Sequence, residues 1–182
     1  VKTKNKSNGD SNAEIVHIIK PKEKLDATNT LDRKDWVATG ENFNPKSYPT
    51  SRLLDNVYRT IWVSNSALVP KELRLDMGRV QTVKGFSFLP IALPASHFTA
   101  DLIETEVFSS NDNLAWTKIC TYNGLPTSKR ASTSSSDIDK LIRQDIKTIG
   151  FKEPVNARYF KFVVTKSSNN YRTGMAELYG LK

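Results

Sequence analysis

The chain has 182 residues, 38% of them hydrophobic and 25% charged, which fits a folded globular domain with an appendage and excludes a disordered or fibrous chain. No apolar run approaches the roughly 18–20 residues that cross a bilayer as a helix, and the opening VKTKNKSNGDSNAE lacks the apolar stretch of a signal peptide. The net charge is +8, but no five-residue run of Lys or Arg occurs, so the basic balance reads as a solvated surface and nucleic acid is not an indicated partner.

Residues 1–12 are polar and rich in Lys, Asn and Ser, as in a linker. AEIVHIIKP (13–21) is a short apolar strand candidate closed by Pro21, and 22–36 holds a turn or a single helical turn. Residues 1–29 are expected to be a linker or the end of a preceding domain, with 30–182 forming the main domain. Beyond residue 36 the pattern is short strands divided by turn chemistry. ELRLDMG (72–78) puts Leu73, Leu75 and Met77 on one face and ends in a Gly turn; VKGFSFLPIAL (83–93) follows, with Pro90 at an edge or bulge. IETEVFSS (103–110) leads through NDN into AWTKICTYN (115–123), and TIGFKEP (148–154), ARYFKFVVTK (157–166) and GMAELYGLK (174–182) complete the series. Segment 125–147 is a Ser-rich insertion whose second half can start a short helix at Ser136 or Asp137. Strands of this length and spacing, without a long 3.6-residue period, predict an all-β antiparallel sandwich or barrel.

Cys120 is the only cysteine, so no internal disulfide forms, and alternation in WTKICTYN gives it the role of a small buried apolar residue. LLDNVYRTIW (53–62) carries a carboxylate at Asp55, an amide at Asn56, a hydroxyl at Thr60 and then Trp62, a core residue. On its own it is equally a surface turn, a metal loop or half of a catalytic site.

The order of the pieces carries more than any one of them. LDRKDW (31–36), RLLDNVYRTIWVS (52–64), PKELRLDMGRVQTVKGFSFLP (70–90), TEVFSSNDNLAW (105–116), ARYFKF (157–162) and MAELYG (175–180) together resemble the discoidin or coagulation-factor type C domain, closest to the family-32 carbohydrate-binding modules of bacterial surface glycan systems. The resemblance covers roughly residues 30–182. It implies a jelly-roll-like antiparallel β-sandwich of about eight strands, of the galactose-binding type. Where such domains usually have Asp-Gly, this chain has Asp112-Asn113, and Asn accepts the left-handed conformation. Trp116 is expected to return to the core.

The resemblance further implies a structural calcium at the 53–62 loop. The matching oxygens are the Arg52 carbonyl, the Asp55 carboxylate, the Val57 carbonyl, Thr60 through carbonyl and hydroxyl, the Ala176 carbonyl and Glu177. Two negative charges among neutral oxygens suit a hard divalent cation. Asn56 and Val57 depart from the usual Gly followed by Asp or Asn, which points to a weaker site or a different cation. The alternative is an Asx turn in which Asp55 caps its own backbone amides.

The resemblance also implies a non-catalytic module binding a glycan, of galactose or related type, through loops at one end of the sandwich. A sugar needs an aromatic face and a few polar side chains. The loops on offer are GENFNPKSYP (40–49), PASHFTAD (94–101), YNGLPTSKR (122–130) and SSNNYRTG (167–174). The expected constellation is His97, Phe98, Asn170, Tyr171 and Arg172, with Tyr48 in reserve. Against catalysis, Glu104/Glu106 and Asp137/Asp139 merely share a strand face, and HExxH, GxSxG and a phosphate loop are all missing. Docking on anionic lipid through Leu93 and Phe98, or on another protein, are the rival binding roles. The setting the resemblance implies is extracellular or cell-surface, in a bacterium, as part of a larger multidomain protein.

Overall fold

The computed structural model describes residues 25–65, 67–91, 100–126 and 146–182, together with the backbone of Ile15–Val16. In chain order the elements are β1 (Ile15–Val16), β2 (Val37–Gly40), a 3-10 helix (Thr50–Leu54), β3 (Trp62–Val63), β4 (Lys71–Leu89), β5 (Leu102–Ser110), β6 (Thr117–Asn123), β7 (Lys147–Ser167), β8 (Gly174–Met175) and β9 (Glu177–Leu181). The main sheet runs β1-β6-β5-β7-β4-β2, with β9 also paired to β4, and β3 pairs with β8 in a small second sheet. All pairs between strands are antiparallel except β1 with β6, where Ile15 lies beside Thr121. The fold is the expected antiparallel β-sandwich.

Two long strands form both layers. The first part of β4, Lys71–Asp76, pairs with Tyr159–Val164 of β7 and with β2, while Gln81–Phe88 pairs with the earlier part of β7 and with β9. Register shifts at Asp76/Gln81 and Val83/Gly85 bend this ribbon so that its two halves face each other. Phe86 from one half therefore meets Phe160 and Phe162 from the other, edge-to-face at 4.9 and 5.0 Å between ring centroids, and all three rings are buried. Leu73, Leu75 and Met77 point into the same core, as their alternation requires.

The Gly turn expected after ELRLDMG is a bulge within one continuous strand. Gly78 takes φ +75°, and a Cβ there would stand 3.1 Å from Asp35. Asp76 secures the bend: its Oδ1 accepts from the Gly78 amide at 2.8 Å, and both oxygens accept from Arg158, at 2.8 and 2.9 Å. The Arg158 fork holds the Asp76 carboxyl below the usual carboxylate range, against a smaller opposing effect of burial. Likewise TIGFKEP and ARYFKFVVTK are both parts of β7, and strand 83–93 ends at Leu89, before Pro90. The helix expected at 136–137 lies outside the described residues.

Asn113 does adopt φ +60°, and Asp112 Oδ1 accepts from the Leu114 and Ala115 amides at 2.8 and 2.9 Å, closing the β5–β6 turn. Trp116 departs from expectation. It sits half-buried on the outer sheet face with Lys161 Nζ 4.6 Å from its ring centroid and the Arg74 guanidinium at 5.7 Å, so cation–π contacts take the place of core packing.

Cys120 is half-buried and packs against the core, and burial pushes its thiol up to about 11 despite the opposing pull of Lys118. At pH 8 very little thiolate forms, so the folded protein should react with iodoacetamide roughly 100-fold more slowly than the urea-unfolded chain. Equal rates, read by mass spectrometry, would show that Cys120 is not protected.

Candidate functional site

The 3-10 helix ends at Leu54 with Asp55 as its C-cap, and Asn56 follows at φ +60°, the conformation for which Gly is usual and Asn the next best residue. The turn folds the chain back so that Asp55 Oδ1 accepts from the Val57 amide at 2.9 Å. Thr60 Oγ1 lies 2.8 Å from Asp55 Oδ2, 3.0 Å from Oδ1 and 2.8 Å from the Val57 carbonyl. The Asx turn is thus present, and the same geometry gathers a carboxylate, a hydroxyl and a carbonyl. Arg52 reaches the group from its side chain, Nη1 standing 3.3 Å from Asp55 Oδ2. Trp62 is buried, as expected, and its Nε1 donates to the Glu41 carbonyl at 3.1 Å.

Across from this loop, Ala176 forms the buried bend between β8 and β9, and Glu177 opens β9 with no exposed surface. Arg33, from LDRKDW, spans the gap. Its Nη1 is 2.7 Å from Glu177 Oε2, 2.8 Å from the Leu178 carbonyl and 3.1 Å from the Leu53 carbonyl, and Nη2 donates to Asn56 Oδ1. The guanidinium also lies 4.0 Å over the Tyr179 ring. Burial pushes the Glu177 carboxyl up to about 7; Arg33 pulls it down and the neighbouring Asp55 carboxyl adds to the rise. A hydrogen bond between the two carboxyls exists only while one holds a proton, and with both ionised Glu177 Oε1 is buried with no donor.

That orphaned oxygen, with the Asp55 carboxyl as its neighbour and Thr60 bonded to Asp55 in turn, fits a hard cation, which takes carboxylate, hydroxyl and carbonyl oxygens. Among the described residues no group of three or more His, Cys, Asp or Glu is placed to hold a metal, so any ion here rests on two carboxylates and neutral oxygens. Arg33 is the residue that sequence reasoning missed at this clasp. It lies within a quoted motif, but its partner Glu177 is 144 positions away.

At the loop end, segments 41–49, 64–65, 67–70 and 168–173 meet. The Phe43 amide donates to the Val63 carbonyl at 2.8 Å, Ser64 and Thr173 exchange hydrogen bonds at 2.9 and 3.0 Å, and the Val69 amide reaches the Asn170 carbonyl at 3.2 Å. The Asp101–Ser168 and Ala100–Gly174 contacts bring the start of β5 to the same place. Gly174 is required there, since a Cβ would stand 2.5 Å from the Trp62 carbonyl oxygen.

Of the expected ligand residues, Arg172 is joined to Tyr48 through Phe43, Tyr171 precedes it in the same turn, and His97 and Phe98 lie outside the described residues. The Arg172 guanidinium sits 4.0 Å over Phe43, whose ring is 6.2 Å from Tyr48. Tyr171 is 55% exposed and Phe43 42%. Asn170 serves the backbone, at φ +62°, and Asn169 Oδ1 accepts from the Tyr171 and Arg172 amides at 3.0 Å each, so the turn presents both side chains. Phe43 was the missed residue; its loop was a candidate, but only the pairing with Arg172 distinguishes its ring from any exposed aromatic. Lys71, buried at the start of β4, donates to Asn65 Oδ1 and faces Glu41 Oε2 at 3.6 Å, fixing two of the loops. Of the paired carboxylates, Glu104 accepts from Thr165 and Glu106 from Lys118 on the sheet face, both in structural pairings, and Asp137/Asp139 are outside the described residues.

The family model for the F5/8 type C domain matches residues 26–178. Among solved structures, the family-32 module of C. perfringens NanJ in complex with galactose is similar at TM-score 0.65 and 16% identity, covering 85% of this chain and 98% of that one. CpGH89CBM32-5 from Clostridium perfringens, in complex with GalNAc-β-1,3-galactose, is similar at TM-score 0.65 and 20% identity, with 84% and 99% coverage. CBM32-3 from a family 31 glycoside hydrolase of Clostridium perfringens gives TM-score 0.65 at 21% identity, covering 87% and 98%. The search of curated proteins finds no match. With most of its length matched by one family model and its strands folded into the same sandwich, the chain belongs to the F5/8 type C domain family.

Proposed function

We propose that this protein is a non-catalytic carbohydrate-binding module that captures a glycan at the loop end of the sandwich. The observation that carries the reading is the Arg172 guanidinium held over the exposed Phe43 ring at the loop end, with the exposed Tyr171 next to Arg172 in the chain. Aromatic faces take the C–H surface of a pyranose, and the guanidinium donates to its hydroxyls. Tyr48 stands beside Phe43, their ring centroids 6.2 Å apart. That similar folds were solved with galactose and GalNAc-β-1,3-galactose makes terminal galactose-type sugars the first ligands to try. A shallow site of this kind binds in the micromolar to millimolar range, about −8 to −4 kcal/mol. His97 and Phe98 are proposed as further contacts.

Calcium belongs to the same proposal as a structural ion. Asp55, Thr60 and Glu177 would hold it with the Arg52, Val57 and Ala176 carbonyls, and its charge would offset two facing carboxylates. A module of this kind works by tethering, raising the effective concentration of an attached partner at its glycan; the similar module from a family 31 glycoside hydrolase supports a place in a larger protein. An extracellular, bacterial cell-surface setting goes with that role.

A second reading, docking on anionic lipid, is favoured by Leu68, which is 65% exposed on the loop whose Val69 amide bonds Asn170, next to Tyr171. A glycan array run beside flotation with phosphatidylserine vesicles separates the two. Array signal on galactose-terminated glycans without vesicle binding is the expected result, and vesicle binding without array signal would replace the proposal.

A further inference from the structure

We infer that Arg33 acts as a built-in cation of the clasp, competing with the metal that the same oxygens would hold; the inference rests on the proposed calcium reading. A calcium ion at Asp55 and Glu177 would tie the end of the 3-10 helix to β9. Arg33 already makes that tie. Its guanidinium contacts the Leu53 carbonyl and Asn56 Oδ1 on one side, and Glu177 Oε2 and the Leu178 carbonyl on the other. The side chain is 8% exposed and stacked on Tyr179, so it is a packed part of the clasp.

Two consequences follow from charge and geometry. With Oε2 bonded to Arg33 at 2.7 Å, Glu177 has only Oε1 to offer a metal, and the two-oxygen grip available to a free carboxylate is lost. The guanidinium also cancels one of the two carboxylate charges, and calcium affinity falls as ligand charge falls. Arg33 therefore keeps the clasp closed in the metal-free protein and holds calcium affinity down. The departure at Asn56 fits the same design, because its side-chain oxygen is an acceptor for Arg33 that Gly would lack.

The test is calcium binding by isothermal titration calorimetry, with thermal midpoints in calcium and in EDTA, on the wild type, Arg33→Gln and Arg33→Lys. Arg33→Gln should lower the EDTA midpoint, tighten the calcium Kd by about tenfold and enlarge the calcium-induced rise in midpoint. Arg33→Lys keeps the charge but loses the planar fork, so its calcium Kd should fall between those of the wild type and Arg33→Gln. If Arg33→Gln fails to fold, Arg33→Met removes the same charge while keeping an apolar stem in place. Calcium binding that is unchanged or weaker in the uncharged variant overturns the inference and leaves the calcium reading standing. No calcium binding by the wild type or either variant overturns both. Binding by Arg33→Gln alone supports the inference in its strongest form, with Arg33 having taken the metal's place.

Discussion

In EDTA the protein is expected to lose stability as the pH rises from about 4.5 to about 7. Glu177 is fully buried, and its carboxyl is pushed up to about 7 from the ordinary Glu value of 4.5, by burial first, with Arg33 opposing and Asp55 adding. Tyr179, packed under Arg33, is a further titratable group close by, and burial raises its hydroxyl far above this range. Between the two pH values the unfolded chain releases the Glu177 proton more readily than the folded one, so deprotonation favours unfolding. The stability tied to this group is fully present below about 4.5 and is lost as the pH passes about 7. The shift corresponds to about 3 kcal/mol, or roughly 6–12 °C in thermal midpoint for a domain of this size. Calcium binds the ionised carboxylate, so the gain in midpoint from added calcium should be larger at pH 7.5 than at pH 5. Glu177→Gln should flatten the EDTA profile. A wild-type profile that is flat or rising between pH 5 and pH 7 in EDTA would remove Glu177 from this role.

The second large effect is expected at the loop end. Arg172→Ala takes away the guanidinium over Phe43 and with it the main charged donor proposed for sugar hydroxyls, and should weaken binding to a galactose-terminated glycan at least about 30-fold, a loss of about 2 kcal/mol or more. Tyr171→Ala and Phe43→Ala should each weaken it by about 1–2 kcal/mol through lost aromatic surface. None of the three side chains is buried, so thermal midpoints should move little. The comparison variant is Trp116→Ala, on the outer sheet face, which should bind as the wild type does. Titration calorimetry giving equal affinity for Arg172→Ala and the wild type would take the loop end out of the account.

The sandwich was readable where one face of a strand decides everything. Leu73, Leu75 and Met77, and Phe160 with Phe162, alternate because one side is core and the other is not. Asp112-Asn113 was readable because a tight turn demands a residue that tolerates positive φ. The length of β4 and β7 was not readable, since a bulge and a turn recruit the same residue types. Gly78 and Pro154 look like chain reversals until the Gln81–Ala157 pairing shows the ladder resuming. Trp116 is not placed by its own strand for a related reason: alternation assigns two faces, and only Lys161, arriving on β7, shows that the outer one holds this ring.

The sites were legible in part. Asp55, Val57 and Thr60 could be read as one group because they fall in a single turn, and Glu177 followed from the resemblance. Arg33 could not be found, because its acceptors come from the 3-10 helix, its turn and β9, brought together only by folding. Phe43 was hidden the same way behind Arg172. Local chemistry is written in neighbouring residues, and side-chain pairing across the fold is not.

The most direct test of the proposed binding role is an amide NMR titration of the intact chain with galactose, followed up to about 50 mM, a range that covers the weak affinities proposed. Saturable shifts centred on Phe43, Tyr171 and Arg172, and lost in Arg172→Ala, are the predicted result. Shifts centred on the outer sheet around Trp116, or no shift with galactose or with GalNAc-β-1,3-galactose, would contradict it.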